Sequence, residues 1–237
     1  MAAVLAAGFA VLLLAAPGPA GRGAAAASPG AVNGRVKSGT GFFVAPAGFV
    51  VTSRHIVAGC PGVLVWAGNG LVRSARVVAS DAALDLALLS VPGGTRKAPV
   101  PYYRDGLRSG ERIATIGFGV LPRNPEKAVM TRGTFVGRRA TPDGRDILLI
   151  RADLRPGNSG GPVIDRYGAL VGMVIGRLAE RRDLGVLIAT REINGFLSRE
   201  GVRRLPIGAL PSADENPGGV LAGMSVLVQC TAAPRAG

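Results

Sequence analysis

The chain has 237 residues, 48% of them hydrophobic, enough to bury a sizeable core and too apolar for an intrinsically disordered polymer. Basic residues outnumber acidic ones 28 to 15, a net charge of +13, yet only Lys37, Lys97 and Lys127 are lysines, and the arginines are scattered singly or in pairs such as Arg138-Arg139 and Arg181-Arg182. With 5% aromatic residues and no basic helix there is no stacking platform, so nucleic acid is not an expected partner; the charge suits an anionic envelope surface, or follows from genome composition.

At the N-terminus, the apolar stretch from Ala2 to Ala16 is followed by Pro17-Gly18-Pro19 and the small residues Ala24 to Ala27. This is the layout of a signal peptide over residues 1–27, too short to span a bilayer comfortably, with cleavage after Ala20 or after Ala27. No Lys or Arg precedes the apolar run. The leader points to a secreted or periplasmic location. In an exported chain with two cysteines, Cys60 and Cys230, one disulfide closing a long loop is expected, with two free thiols as the alternative.

Short apolar runs rich in β-branched residues then follow one another, punctuated by Gly, Pro and Asp. Strands are expected at Gly41 to Ala45, Phe49 to Thr52, Val63 to Ala67, Val72 to Ala79, Leu86 to Val91, Arg112 to Gly117, Val129 to Val136, Ile147 to Ala152, Pro162 to Ile164, Leu170 to Ile175 and Leu184 to Ala189. Close spacing and turn sequences such as Pro46-Ala47-Gly48 favour an all-β barrel or sandwich over βαβ units. Two helical pieces interrupt the pattern. One is a short turn at Arg54 to Ala58; the other, Arg191 to Glu200, places Ile193, Phe196 and Leu197 on one face. From Leu205 the composition becomes that of a linker through Pro217, Gly218 and Gly219, before an apolar run, Met224 to Val228, that a Cys60–Cys230 bond would tie back as a final strand.

Chemistry concentrates in Arg155-Pro156-Gly157-Asn158-Ser159-Gly160-Gly161-Pro162. A serine hydroxyl needs a base to take its proton, and the oxyanion formed on attack needs donors already in place. Gly157 lets the backbone turn so that the N–H groups of Gly157 and Ser159 aim at one point, while Gly160 and Gly161 leave room for a second segment behind. Turn chemistry alone would also account for this loop. The single histidine of the chain, His55, lies directly after the strand expected at Phe49 to Thr52, and no other imidazole competes for the role of base. Asp85, at the head of Leu86-Ala87-Leu88-Leu89, suits a carboxylate that orients the imidazole; Asp81 is its rival but sits in a turn, open to solvent or a backbone cap. One histidine and two distant cysteines match no zinc-ligand spacing, so neither a metal nor a cofactor is expected.

The order His, Asp, Ser and the contexts Thr52-Ser53-Arg54-His55-Ile56-Val57, Asp85-Leu86-Ala87-Leu88-Leu89 and Gly157-Asn158-Ser159-Gly160-Gly161-Pro162 resemble trypsin-like serine peptidases, and within them the protease domain of bacterial Deg (high-temperature-requirement) proteases. Gly39-Thr40-Gly41-Phe42-Phe43-Val44, Gly110 to Gly117 and Gly168 to Val174 extend the likeness over about Ser38 to Glu200. The resemblance implies two packed six-stranded antiparallel barrels with a short C-terminal helix, the site between them, His55 and Asp85 from the first barrel and Ser159 from the second. It places a protease domain over 28–204 and a linker and strand-like tail over 205–237, with no room for the PDZ domain usual in Deg proteases. Asn158 stands where animal digestive enzymes carry an aspartate that pairs with a new N-terminus, which implies a site formed without that step.

Asp153, six residues before Ser159, has the spacing of a carboxylate selecting Arg or Lys, or else caps a turn or pairs with Arg151 or Arg155 at the surface. The same resemblance implies that Val174 to Gly176 offer backbone groups to an extended substrate, with Val174 as an apolar pocket wall. The expected function is serine endopeptidase action on protein or peptide substrates, with His55, Asp85 and Ser159 as triad and the amides of Gly157 and Ser159 as oxyanion hole. A non-catalytic peptide-binding envelope protein on the same fold, or an esterase-like hydrolase, is the alternative; against the latter, Ser159 lacks the strand-turn-helix elbow of α/β-hydrolases.

Overall fold

A computed structural model describes residues 37–67, 70–93, 103–104, 106–119, 128–141, 144–203, 206 and 216–231; the signal peptide expected over 1–27 lies outside them. Among the described residues, twelve strands and three helices follow in chain order: β1 (Ser38–Ala45), β2 (Phe49–Ser53), α1 (Arg54–Val57), β3 (Gly62–Ala67), β4 (Val72–Asp81), β5 (Leu86–Ser90), β6 (Arg112–Phe118), β7 (Ala128–Ala140), β8 (Asp146–Ala152), β9 (Pro162–Asp165), β10 (Leu170–Arg177), β11 (Leu184–Ala189), α2 (Thr190–Arg199), α3 (Pro217–Met224) and β12 (Ser225–Thr231). They close into two antiparallel barrels of six strands, β1-β12-β3-β4-β5-β2 and β10-β11-β8-β7-β6-β9. The all-β, double-barrel architecture expected from the sequence is therefore present.

The period-two alternation of side chains explains why several strands are apolar on both faces. In β1, β2 and β5, Phe43, Val50, Ala87 and Leu89 fill the interior of the first barrel together with Val226 and Val228. Their neighbours Phe42, Val51, Leu86 and Leu88 point outward, against Leu170, Met173 and Ile188 of the second barrel and Ile193, Phe196 and Leu197 of α2. A separate cluster of Ile113, Phe135, Leu148, Ile150, Val163, Val171 and Leu187 fills the second barrel. The interface between barrels thus has its own apolar cluster, and it holds the segments carrying the candidate site in fixed register.

The first barrel draws only five strands from the N-terminal half. Its sixth is β12, wedged between β1 (Ser38 opposite Gln229, Phe42 opposite Ser225) and β3 (Val226 opposite Ala67, Thr231 opposite Gly62). Val226, Leu227 and Val228 are fully buried there. The disulfide Cys60–Cys230, with Cα atoms 5.5 Å apart across 170 positions, fastens this strand beside α1. The boundary expected after residue 204 does not end the barrel, since the tail supplies one of its staves.

Pro217, Gly218 and Gly219, read as linker, begin α3 instead. Asn216 accepts a hydrogen bond from the Gly219 N–H at 2.8 Å, and Pro217 occupies the first turn, where its fixed φ is already helical and its missing N–H costs nothing. Those two features, with Leu221 and Met224 fully buried, outweigh three glycines that each disfavour a helix by about 1 kcal/mol.

Candidate active site

Three segments converge between the barrels. His55 sits in the single turn α1 that follows β2; Asp85 closes the turn between β4 and β5; Ser159 lies in the loop between β8 and β9. Asp85 has φ of 52°, the only left-handed non-glycine among the described residues, and it stands just ahead of β5 rather than within the strand. A strained residue of this kind persists only where several contacts over-determine it. Here its carboxylate accepts from the His55 backbone N–H at 2.9 Å (Oδ1) and meets His55 Nδ1 at 2.7 Å (Oδ2). Its carbonyl accepts from the Arg54 N–H at 2.9 Å. Asp85 therefore fixes both the helical turn and the imbidazole ring orientation, leaving Nε2 as the ring nitrogen free to handle a proton.

The rival Asp81 performs another task. Its Oδ1 accepts from the N–H groups of Ala83 (2.9 Å) and Leu84 (3.0 Å), and its Oδ2 from Arg199 of α2 (3.0 Å). It caps the turn that presents Asp85, matching the backbone cap considered from sequence.

The serine loop is gripped from both sides. Thr40 of β1, fully buried, donates its hydroxyl to the Gly157 carbonyl at 2.6 Å and its N–H to the Ser159 carbonyl at 2.8 Å, while its Oγ1 accepts from Phe118 N–H at 3.1 Å. Thr52 donates to the Thr40 carbonyl at 2.7 Å. Behind the loop, a Cβ on Gly160 would collide with the Thr40 carbonyl, and one on Gly157 with the Phe118 carbonyl; both have positive φ, 81° and 99°. Asn158, 5% exposed, closes the loop on itself by accepting the Arg155 N–H at 2.8 Å. That bond ties the loop internally through the Asn158 side-chain oxygen.

With the loop so held, the N–H groups of Gly157 and Ser159 have no hydrogen-bond partner among the described residues, whereas those of Asn158, Gly160 and Gly161 bond to Arg155, Val174 and Asn158 carbonyls. Two unengaged amides flanking the serine are the arrangement that can receive an oxyanion. Ser159 Oγ is likewise without a partner among the described residues, and no hydrogen bond links it to Nε2. Thr40, Thr52 and Asn158 were not singled out from sequence as site residues. The signal available was position: Thr40 and Thr52 sit in the runs that open the fold and precede His55.

A cavity of about 130 Å³ opens beside Ser159, lined by Leu154, Arg155, Pro156, Asn158, Val174, Gly176 and Arg177. Val174 and Leu154 are its aliphatic lining residues. The Val174 backbone, however, is not available to a substrate, because its N–H donates to Gly161 (2.9 Å) and its carbonyl accepts from Gly160 (2.7 Å). Strand β9 pairs with β10 only as far as Met173, so the open edge of β10 runs from Ile175 through Gly176 to Arg177. Asp153 does not line this cavity. Its side chain is 77% exposed and takes the guanidinium of Arg155 at 2.9 Å and 3.3 Å, so the surface pair prevails over a cation-selecting pocket. Among the described residues no cluster of three or more metal-ligating side chains occurs.

Residues 39–173 match the family model described as the trypsin-like peptidase domain. The chain is 32% identical over 180 residues to the serine protease Rv3671c of Mycobacterium tuberculosis, covering 73% of this chain and 44% of that protein. It is 28% identical over 163 residues to the serine protease Do-like HtrB of Bacillus subtilis, covering 64% and 35%. The match thus spans less than half the length of these curated relatives. Among solved structures, the active form of the Rv3671c protease superposes with a TM-score of 0.61 at 30% identity, covering 72% of this chain and 76% of that one. The HtrA-type protease AlgW, solved with a decapeptide, shares the fold at a TM-score of 0.61 and 24% identity. Two barrels, with His55 in the helical turn after β2 and Ser159 in the loop between β8 and β9, and a matched domain covering more than half of the residues lead to one assignment: the chain belongs to the trypsin-like peptidase family.

Proposed function

We propose that the chain is a serine endopeptidase acting on exported or envelope proteins, with His55, Asp85 and Ser159 as its catalytic residues. The observation that carries the reading is the pairing of His55 Nδ1 with Asp85 at 2.7 Å beside a serine loop whose Gly157 and Ser159 amides are unengaged. Ser159 Oγ attacks the peptide carbonyl and its proton passes to His55 Nε2. Asp85 holds the ring and stabilises the imidazolium, and the two amides receive the oxyanion. Collapse of the intermediate expels the amine, which takes the proton back from Nε2. A water activated by the same nitrogen then hydrolyses the acyl-enzyme.

The cavity beside Ser159 supports cleavage after an apolar side chain of modest size. Leu154 and Val174 line it, and no carboxylate does. The disulfide suits an oxidising compartment, and among the described residues no helix is long and apolar enough to cross a membrane. Labelling with a fluorophosphonate probe tests the reading: the wild type is expected to label and Ser159→Ala not. No labelling of the wild type, or equal labelling of the variant, overturns it.

A further inference from the structure

A second cavity, about 300 Å³, adjoins the one beside Ser159, and the two share Leu154 and Arg177. Its other lining residues are Arg151, Ala152, Asp153, Arg182 and Asp183. Both carboxylates are already committed to guanidinium groups outside the cavity. Asp153 is held by Arg155 at 2.9 Å, and Asp183 by two bonds from Arg181 at 2.9 Å each. Arg181 holds the Asp183 carboxyl below the usual carboxylate range, so it stays ionised and bound. Arg151 lies 3.7 Å from Asp183, beyond hydrogen-bonding distance, and Arg177 and Arg182 have no acidic partner among the described residues. Counting the two outer arginines, five guanidinium groups surround two carboxylates, an uncompensated charge of three.

Sheet register shows where this charge lies. Arg177 ends β10 opposite Gly185, and Leu184 pairs with Arg151, so the arginines gather at one end of β10, β11 and β8. The open edge of β10 runs toward that end from Ile175, away from Ser159. A peptide adding antiparallel to this edge, with its scissile bond at Ser159, sends the residues before the bond toward Arg177. Resting on the endopeptidase reading, we propose that the cavity rimmed by Arg151, Arg177 and Arg182 is a carboxylate-binding subsite. It selects peptides with Glu or Asp at the third or fourth position before the cut. Guanidinium groups recognise carboxylates by paired, charge-assisted hydrogen bonds, and these do not form with the isosteric amide.

The test uses the full chain carrying Ser159→Ala and a fluorescent peptide pair with Glu-Glu or Gln-Gln three and four positions before a valine, read by anisotropy at low salt. Loss of one or two such contacts at an exposed site corresponds to about fivefold to tenfold in affinity. The Glu peptide is expected to bind about that much tighter than the Gln peptide. The ratio should approach one in Arg177→Gln/Arg182→Gln and at high salt, and a Lys-bearing peptide should be favoured in Arg177→Glu/Arg182→Glu. A ratio near one in the parent protein, or a preference that survives both double substitutions, overturns the subsite. Because the readout is binding, its failure is separate from that of the endopeptidase reading, which the fluorophosphonate label reports on the wild type.

Discussion

Removing the Cys60–Cys230 bond should weaken the protein by an amount that can be worked from its topology. The bond closes a loop across 170 positions. For a loop of that order, the chain-entropy relation assigns about 5 kcal/mol of destabilisation of the unfolded ensemble at 25 °C, and native disulfides removed from secreted domains typically cost about 2–5 kcal/mol. Against a total stability of about 5–15 kcal/mol, that is a large share. The assay is guanidinium unfolding of the oxidised chain and of Cys60→Ser/Cys230→Ser, followed by emission of Trp66. That residue is the chain's single tryptophan and lies in β3 opposite Leu227 of β12. The midpoint should fall, and the slope should steepen because the unlinked unfolded chain exposes more surface. A loss below about 1 kcal/mol would refute the reasoning, since β12 would then be held by its ladders and buried side chains without the bond's aid.

Thr40→Val keeps shape but removes the bond to the Gly157 carbonyl and strands the buried Phe118 N–H; each unsatisfied group costs about 1–3 kcal/mol, so kcat should fall at least about tenfold in a peptidase assay, with a smaller change in KM. Arg104 bridges the fully buried Asp165 carboxylate at 2.7 Å and Glu111 at 2.8 Å, so Arg104→Met should lower stability by about 3 kcal/mol in denaturant unfolding, and Arg104→Met/Asp165→Asn should recover part of it. The Asp183 carboxylate should titrate below the usual aspartate range by NMR, because Arg181 bonds its charged form, and Arg181→Ala should move the midpoint upward.

Much of the fold was legible because each strand is a short apolar run with a definite stop. Leu184 to Ala189 was placed with its observed ends, and Phe49 to Thr52 within one residue. The candidate triad was legible for a different reason, the scarcity of alternatives: one histidine, and one serine set in a Gly-Asn-Ser-Gly-Gly-Pro run. What escaped was long-range. Nothing local in Ser225–Thr231 says that it pairs with β1 and β3, since its apolar pattern would suit many neighbours. Thr40 reads as an ordinary strand residue until the chain returns at Gly157 to accept its hydroxyl, 117 positions later. Asp153 had the right spacing for a specificity residue, but spacing along a loop does not fix the direction of a side chain, and Arg155 two positions on drew it outward.

The position of β12 also sets an order of events during synthesis. A ribosome or export channel delivers His55 and Asp85 early, on five strands that leave β1 and β3 with unpaired edges facing one another across a missing stave. Such edges invite pairing with other chains until they are covered. The covering strand comes only after every strand of the second barrel, Ser159 included, has emerged. The barrel that carries the base is thus the last to be sealed, and a nascent chain bearing all three candidate catalytic residues still lacks the closed wall that would hold two of them in place.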